Sequence, residues 1–66
     1  MDTKEIAKKL RELRGLSGRK TVADSLGISV SALAMYECGK RIPRDEMKIK
    51  IADYFGKTVE EIFFEK

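Results

Sequence analysis

Several residue types that carry chemistry in small proteins are absent from this 66-residue sequence or occur once. It has no histidine and one cysteine, which excludes an intramolecular disulfide framework and a Cys/His zinc site. No apolar run approaches the roughly 18 residues of a membrane span, and no signal peptide pattern is present. With no histidine, no glycine-rich phosphate loop and no plausible carboxylate pair, the sequence argues against an enzyme. We therefore expect a cytoplasmic protein that has no cofactor and no membrane partner.

The charge is unevenly distributed along the chain. Residues 1–52 contain 12 Lys or Arg against 7 Asp or Glu, a net +5, whereas residues 53–66 contain 2 against 4, a net −2. A basic body with an acidic end indicates one surface that faces a polyanion and another that is turned away from it. The alternative is a solvated surface of mixed charge.

The apolar spacing predicts an all-α fold of five short helices without a strand. Capping residues and glycines mark the helix limits: Asp2 with Glu5 and Gly15 for the first, Arg19 and Leu26 for the second, Ser29 and Gly39 for the third, Arg44 or Asp45 and Gly56 for the fourth, and Thr58 with Glu61 for the last. Apolar side chains at helical spacing form the predicted core: Ile6, Leu10, Leu13, Val22, Ala23, Leu26, Leu33, Tyr36, Met47, Ile51, Phe55, Val59, Ile62 and Phe63.

The stretch from Arg19 to Glu37 has the spacing of a helix-turn-helix. Ala23 is small where two helices would cross, and Gly27, four residues later, tolerates a positive φ in the turn. Gly27 alone could be an ordinary helix cap. Together with apolar residues that join both helices to the core, the set is fairly specific. The residues alone thus predict one small basic helix-turn-helix domain over residues 1–66.

The chain also resembles a known family, the phage-repressor helix-turn-helix proteins (lambda-repressor-like, Cro-like or XRE-type). The stretches that carry the resemblance are "LRELR", "VADSLGISVSALAMYECGKRIP" and "KIADYFGKTVEEIF". It implies a compact five-helix lambda-repressor-like domain and a sequence-specific regulator of transcription. We expect a repressor that binds a palindromic operator in double-stranded DNA as a homodimer, without a small-molecule effector domain. The alternative is an antitoxin-like or adaptor protein whose main role is to bind another protein.

Two positions depart from the family pattern. Members often have glutamine at the start of the second helix, where this chain has Arg19. They often have asparagine or arginine where this chain has Cys38. Arginine can still hold a phosphate, and more strongly than glutamine. For Cys38 we expect an inert, partly buried thiol rather than a redox switch.

One face of the third helix is the predicted site of base readout. Val30, Ser31, Ala34 and Met35 share that face, which in the resembling family lies in the major groove. Val30 and Ala34 can contact thymine methyl groups, and Ser31 can bond a base edge or a phosphate. Met35 can adapt its shape to its neighbours. The alternative is that Val30, Ala34 and Met35 belong to the core.

Phosphate contacts are expected around this face, at the start of the second helix, at the start of the third and in the loop after it. The candidates are Arg19, Lys20, Ser29, Ala32, Lys40, Arg41 and Arg44. Each basic side chain among them could instead be a solvated surface charge. Glu37 is an acid in this basic region. We expect it to orient Arg11 or Arg14 by an ion pair, with a surface acid as the alternative.

The dimer interface is expected at the acidic end of the chain, away from phosphate. The candidates are Val59, Ile62, Phe63 and Phe64. Val59, Ile62 and Phe63 lie on the face that closes the core, whereas Phe64 points elsewhere and is costly to leave uncovered. We expect Phe64 to pair with its copy across a two-fold axis. Alternatively, Phe64 folds back on its own domain beside Tyr54.

Overall fold

The computed structural model describes residues 3–64, which form five helices. These are α1 (Thr3–Arg14), α2 (Arg19–Leu26), α3 (Val30–Glu37), α4 (Asp45–Phe55) and a C-terminal π-helix (Glu60–Phe64). No strand occurs between residues 3 and 64, so the predicted all-α, five-helix fold is confirmed. The last helix has the wider π geometry, in which the hydrogen bonds run from i to i+5. The predicted cap Asp2 lies outside the described residues.

Short-range hydrogen bonds set the limits of the helices. At the start of α3, the N–H of Ala32 donates to Ser29 Oγ at 3.0 Å, as expected for an N-cap serine. Before the π-helix, the N–H of Thr58 donates to Glu61 Oε1 at 3.0 Å, and the N–H of Glu61 donates to Thr58 Oγ1 at 3.1 Å. This reciprocal pair is the predicted capping box. It fixes where the acidic end of the chain turns back toward the domain.

A core shared by all five helices holds them together. Its buried members are Ile6, Leu10, Val22, Ala23, Leu26, Leu33, Tyr36, Ile51, Ala52, Ile62 and Phe63. The remaining predicted core residues are partly buried and pack against it: Leu13, Met47, Phe55 and Val59. α1 packs against α3 and the π-helix, and α2 packs against α3 and α4. This arrangement leaves the outer side of α3 uncovered. Within the part of the chain that the structure describes, no helix is long and apolar enough to span a membrane.

α4 contains a buried lysine that the sequence pattern did not predict. Lys48 is 8% exposed, and its Nζ lies 5.7 Å from the ring centroid of Phe63 and 5.2 Å from that of Phe64. Both distances are within the range of a cation–π contact. Tyr54 contacts the ring of Phe55 at 5.0 Å between centroids. Phe64 therefore rests against Lys48 and stays 55% exposed.

Candidate nucleic-acid interface

A helix-turn-helix formed by α2 and α3 is the most specific structural feature of the chain. Gly27 adopts a left-handed conformation with φ 72°, which suits a residue without a Cβ. The N–H of Ile28 donates to the carbonyl of Ala23 at 3.0 Å across the turn. Ala23 is itself buried, and Leu33 is buried on α3. These contacts fix the position of α3 relative to α2 and leave its outer face on the surface of the domain.

The outer face of α3 carries the predicted base-contacting side chains. Val30 is 41% exposed, Met35 is 40% exposed and Ser31 is exposed, whereas Ala34 is half-buried. The alternative that Val30 and Met35 belong to the core is therefore wrong. Large apolar side chains at these exposures lose contact with water when a partner covers them. Their role in base readout remains a prediction.

The loop between α3 and α4 places basic side chains next to this face. The N–H of Lys40 donates to the carbonyl of Met35 at 3.1 Å, which ties the beginning of the loop to the end of α3. Lys40, Arg41 and Arg44 are all exposed. Arg41 and Arg44 also line a cavity of about 430 Å³ together with Tyr36, Ile42, Glu46 and Met47. The loop thus extends the exposed surface of α3 with positive charge.

The other predicted phosphate contacts differ in whether their hydrogen-bond donors already have a partner within the chain. Lys20 is exposed, and its ammonium pairs with Asp24 at 3.0 Å, one helical turn away. Because both side chains are highly exposed, this pair contributes little to stability and can exchange for a phosphate. The N–H of Ala32 is already bonded to Ser29 Oγ, and alanine has no side-chain donor. The predicted contact at the start of α3 therefore narrows to the hydroxyl of Ser29.

Glu37 is buried at the end of α3, where α1, α2 and α3 meet. It is 1% exposed. Its Oε2 lies 2.6 Å from Arg14 Nε, and its Oε1 lies 2.9 Å from Arg19 Nε. Arg11 donates instead to the backbone carbonyl of Glu37, at 2.5 Å. The expected ion pair with Arg14 is confirmed, and the alternative of a surface acid is wrong.

Arg19 is the partner of Glu37 that the sequence did not predict. The two residues are 18 positions apart and lie on different helices, so no helical spacing links them. The useful signal was the departure from the family pattern at position 19, which replaces a neutral side chain by a cation near an acid. Arg19 therefore has two possible partners, a buried carboxylate and an external phosphate.

Cys38 occupies the C-cap of α3 and is exposed. The expectation of a partly buried thiol is wrong. α3 ends at Glu37, and the side chain of Cys38, the next residue, is exposed to solvent. The carboxylate of the preceding residue, Glu37, is buried, whereas the thiol of Cys38 is not.

A scan against protein-family models gives one match that covers most of the chain. A family described as helix-turn-helix, of the XRE, lambda-repressor-like type, matches residues 8–62. Its members are DNA-binding regulators of transcription and are in general not enzymes. No curated protein and no solved structure gave a significant match. The family match agrees with the fold and with the geometry of α2 and α3.

Proposed function

We propose that this chain, which belongs to the XRE-type (lambda-repressor-like) helix-turn-helix family, is a cytoplasmic repressor that binds a palindromic operator as a homodimer. The observation that carries this proposal is the exposed face of α3, bordered by exposed basic residues. A face of this kind fits the major groove of DNA, with the surrounding cations on the phosphates. The 66 residues act as one DNA-binding domain.

Base recognition in this proposal depends on apolar contacts. Val30 and Ala34 contact thymine methyl groups, Ser31 bonds a base edge, and Met35 adapts to the bases beside it. The face lacks an arginine, glutamine or asparagine that could form a bidentate pair with a purine, a contact worth roughly 1–3 kcal/mol of discrimination. A single subunit should therefore discriminate weakly. Two subunits on a palindrome, together with the sequence-dependent deformability of DNA, supply the rest.

Phosphate contacts supply most of the affinity. The proposed set consists of Arg19, Lys20, Ser29, Lys40, Arg41 and Arg44, five of which are cations. Each neutralised phosphate releases counterions and adds about −0.9 to the slope of log affinity against log salt. Five cations per subunit thus predict a slope of about −4.5, or a loss of about 500-fold between 50 and 200 mM salt.

Titration of a labelled duplex at several salt concentrations tests this part of the proposal. Fluorescence anisotropy with a mixed-sequence duplex suffices, because phosphate contacts do not depend on sequence. A steep fall in affinity supports the phosphate set. An affinity that changes little with salt contradicts it.

Dimerisation is proposed to depend on Phe64. Ile62 and Phe63 are buried in the chain's own core, so in this proposal they support the interface without contacting the second subunit. The residues proposed to contact it directly are Phe64 and the partly buried Val59. The domain measures 28 × 22 × 22 Å. Two such domains side by side can place their α3 helices one DNA turn apart, roughly 34–36 Å.

Sedimentation of Phe64→Glu at micromolar concentration tests the dimer. A matched control is Ile42→Glu, which changes another exposed apolar residue, in the loop before α4. We expect wild type and the control to be dimers and Phe64→Glu to be a monomer. If Phe64→Glu keeps the wild-type mass, Phe64 is not the anchor. If wild type is a monomer both free and on DNA, the palindromic operator is wrong as well.

A further inference from the structure

We infer that Glu37 is a positioning residue for phosphate binding, because its buried carboxylate holds the guanidinium of Arg19 at the start of α2. The inference rests on the proposed DNA-binding function. It assigns two roles to one cluster: Arg14 fastens the fold, and Arg19 presents its outer amino groups to the DNA backbone.

The geometry divides the two carboxylate oxygens of Glu37 between the two arginines. Oε2 accepts from Arg14 Nε at 2.6 Å, and Oε1 accepts from Arg19 Nε at 2.9 Å. Arg14 is the last residue of α1, Arg19 is the first residue of α2, and Glu37 is the last residue of α3. A single carboxylate therefore fixes the start of α2 relative to both neighbouring helices.

The two arginines differ in exposure and in the number of N–H donors that remain for an external acceptor. Arg14 is 18% exposed and also donates through Nη1 to the carbonyl of Ser17 at 2.8 Å. Arg19 is 43% exposed, and the hydrogen bond found for it among residues 3–64 involves Nε. A guanidinium has five N–H donors in a rigid plane. The four donors on the terminal nitrogens of Arg19 thus remain for an external acceptor.

The charge of the cluster favours an anion as that acceptor. Arg11, Arg14 and Arg19 surround one acid, Glu37, which leaves an excess of two positive charges. A guanidinium that is already held by one bond loses less side-chain freedom when it binds a phosphate. A lysine at the same position has one ammonium and cannot reproduce a planar fork between two acceptors. Replacing Arg19 by lysine should therefore weaken DNA binding although the charge is unchanged.

The test compares two exchanges that conserve charge, measured by anisotropy with a mixed-sequence duplex at about 50 mM salt, where phosphate contacts are strongest. We expect Arg19→Lys to lose about tenfold in affinity. The matched control is Lys57→Arg, where the lysine is exposed, follows α4 and lies outside the proposed phosphate set. We expect that control to stay within about twofold of wild type. If Arg19→Lys also stays within that range, the inference is wrong.

A double-mutant cycle separates positioning from a purely structural role. If Glu37 acts through Arg19, Glu37→Gln weakens binding in the presence of Arg19 and has no further effect in an Arg19→Gln background. A structural role weakens both backgrounds equally, which contradicts the inference. If Glu37→Gln does not fold, the comparison of Arg19→Lys with Lys57→Arg decides alone. If wild type does not bind the duplex at any salt concentration, it is the proposed function that fails.

Discussion

Gly39 connects the end of α3 to the basic loop, and we predict that Gly39→Ala destabilises the domain more than an equivalent change elsewhere. Gly39 has φ +74°, and a Cβ there would lie 3.3 Å from the carbonyl oxygen of Thr3. The left-handed conformation costs alanine about 1–2 kcal/mol, and the stiffer unfolded chain returns about 0.4–1 kcal/mol. The contact with α1 adds to this, because the opposing atom is backbone and cannot move away alone. We expect a net loss of about 1–2 kcal/mol.

Gly56→Ala is the matched control for this prediction. Gly56 has φ +68°, but no atom lies within 4 Å of the position of an added Cβ. Gly56→Ala carries the conformational cost without the contact. We therefore expect Gly39→Ala to be less stable than Gly56→Ala by about 1 kcal/mol, or about 4–8 °C in Tm. Urea and thermal unfolding followed by circular dichroism measure both variants. Equal losses would refute the proposed contact between the loop and α1, and no loss in either would refute the left-handed geometry.

Two further predictions concern recognition and pH. Met35→Ala and Val30→Ala should change which bases are preferred. Lys40→Ala should weaken binding to all sequences about equally, because Lys40 is proposed to contact phosphate. Binding to a panel of duplexes measures this, and the opposite pattern would contradict the assignment of α3 to the major groove. The backbone N–H and then the side chain of Thr58 hold the pKa of Glu61 below its ordinary value of 4.5. A lowered folded-state pKa gives stability that is present above the unfolded value and is lost as the pH falls through the folded one. Glu61→Gln keeps an acceptor for the cap but cannot titrate, so its unfolding midpoint should be less sensitive to pH below 4.5; parallel curves for the two proteins would contradict this.

The helices could be predicted from the sequence because their ends depend on neighbouring residues. Ser29 caps α3 and Thr58 pairs with Glu61 through contacts that span three positions. Gly27 likewise ends α2 within the motif itself. Such capping contacts depend on nearby residues and can be predicted without the tertiary structure. The π geometry of the last helix had no comparable local signal, because a turn of this width is set by what the segment packs against.

The buried charges could not be predicted in the same way. Lys48 falls on a helix beside apolar positions, and its burial depends on rings near the end of the chain. The pairing of Glu37 with Arg19 joins the ends of two helices 18 residues apart. A long polar side chain can point to solvent or to a partner, and only the tertiary arrangement decides between them. The exposed face of α3 was predictable because Leu33 and Tyr36 fix the inner side of a regular helix.

DNA is proposed to lie against α3 and the basic loop. Titration of the isotopically labelled protein with a mixed-sequence duplex, followed by backbone amide chemical shifts, measures where the duplex binds. We predict that the perturbed amides cluster at residues 19–20, 29–35, 40–42 and 44, and that those of the π-helix change little. Perturbation centred on the π-helix and the exposed side of α4, with residues 29–35 unaffected, would contradict this position of the DNA.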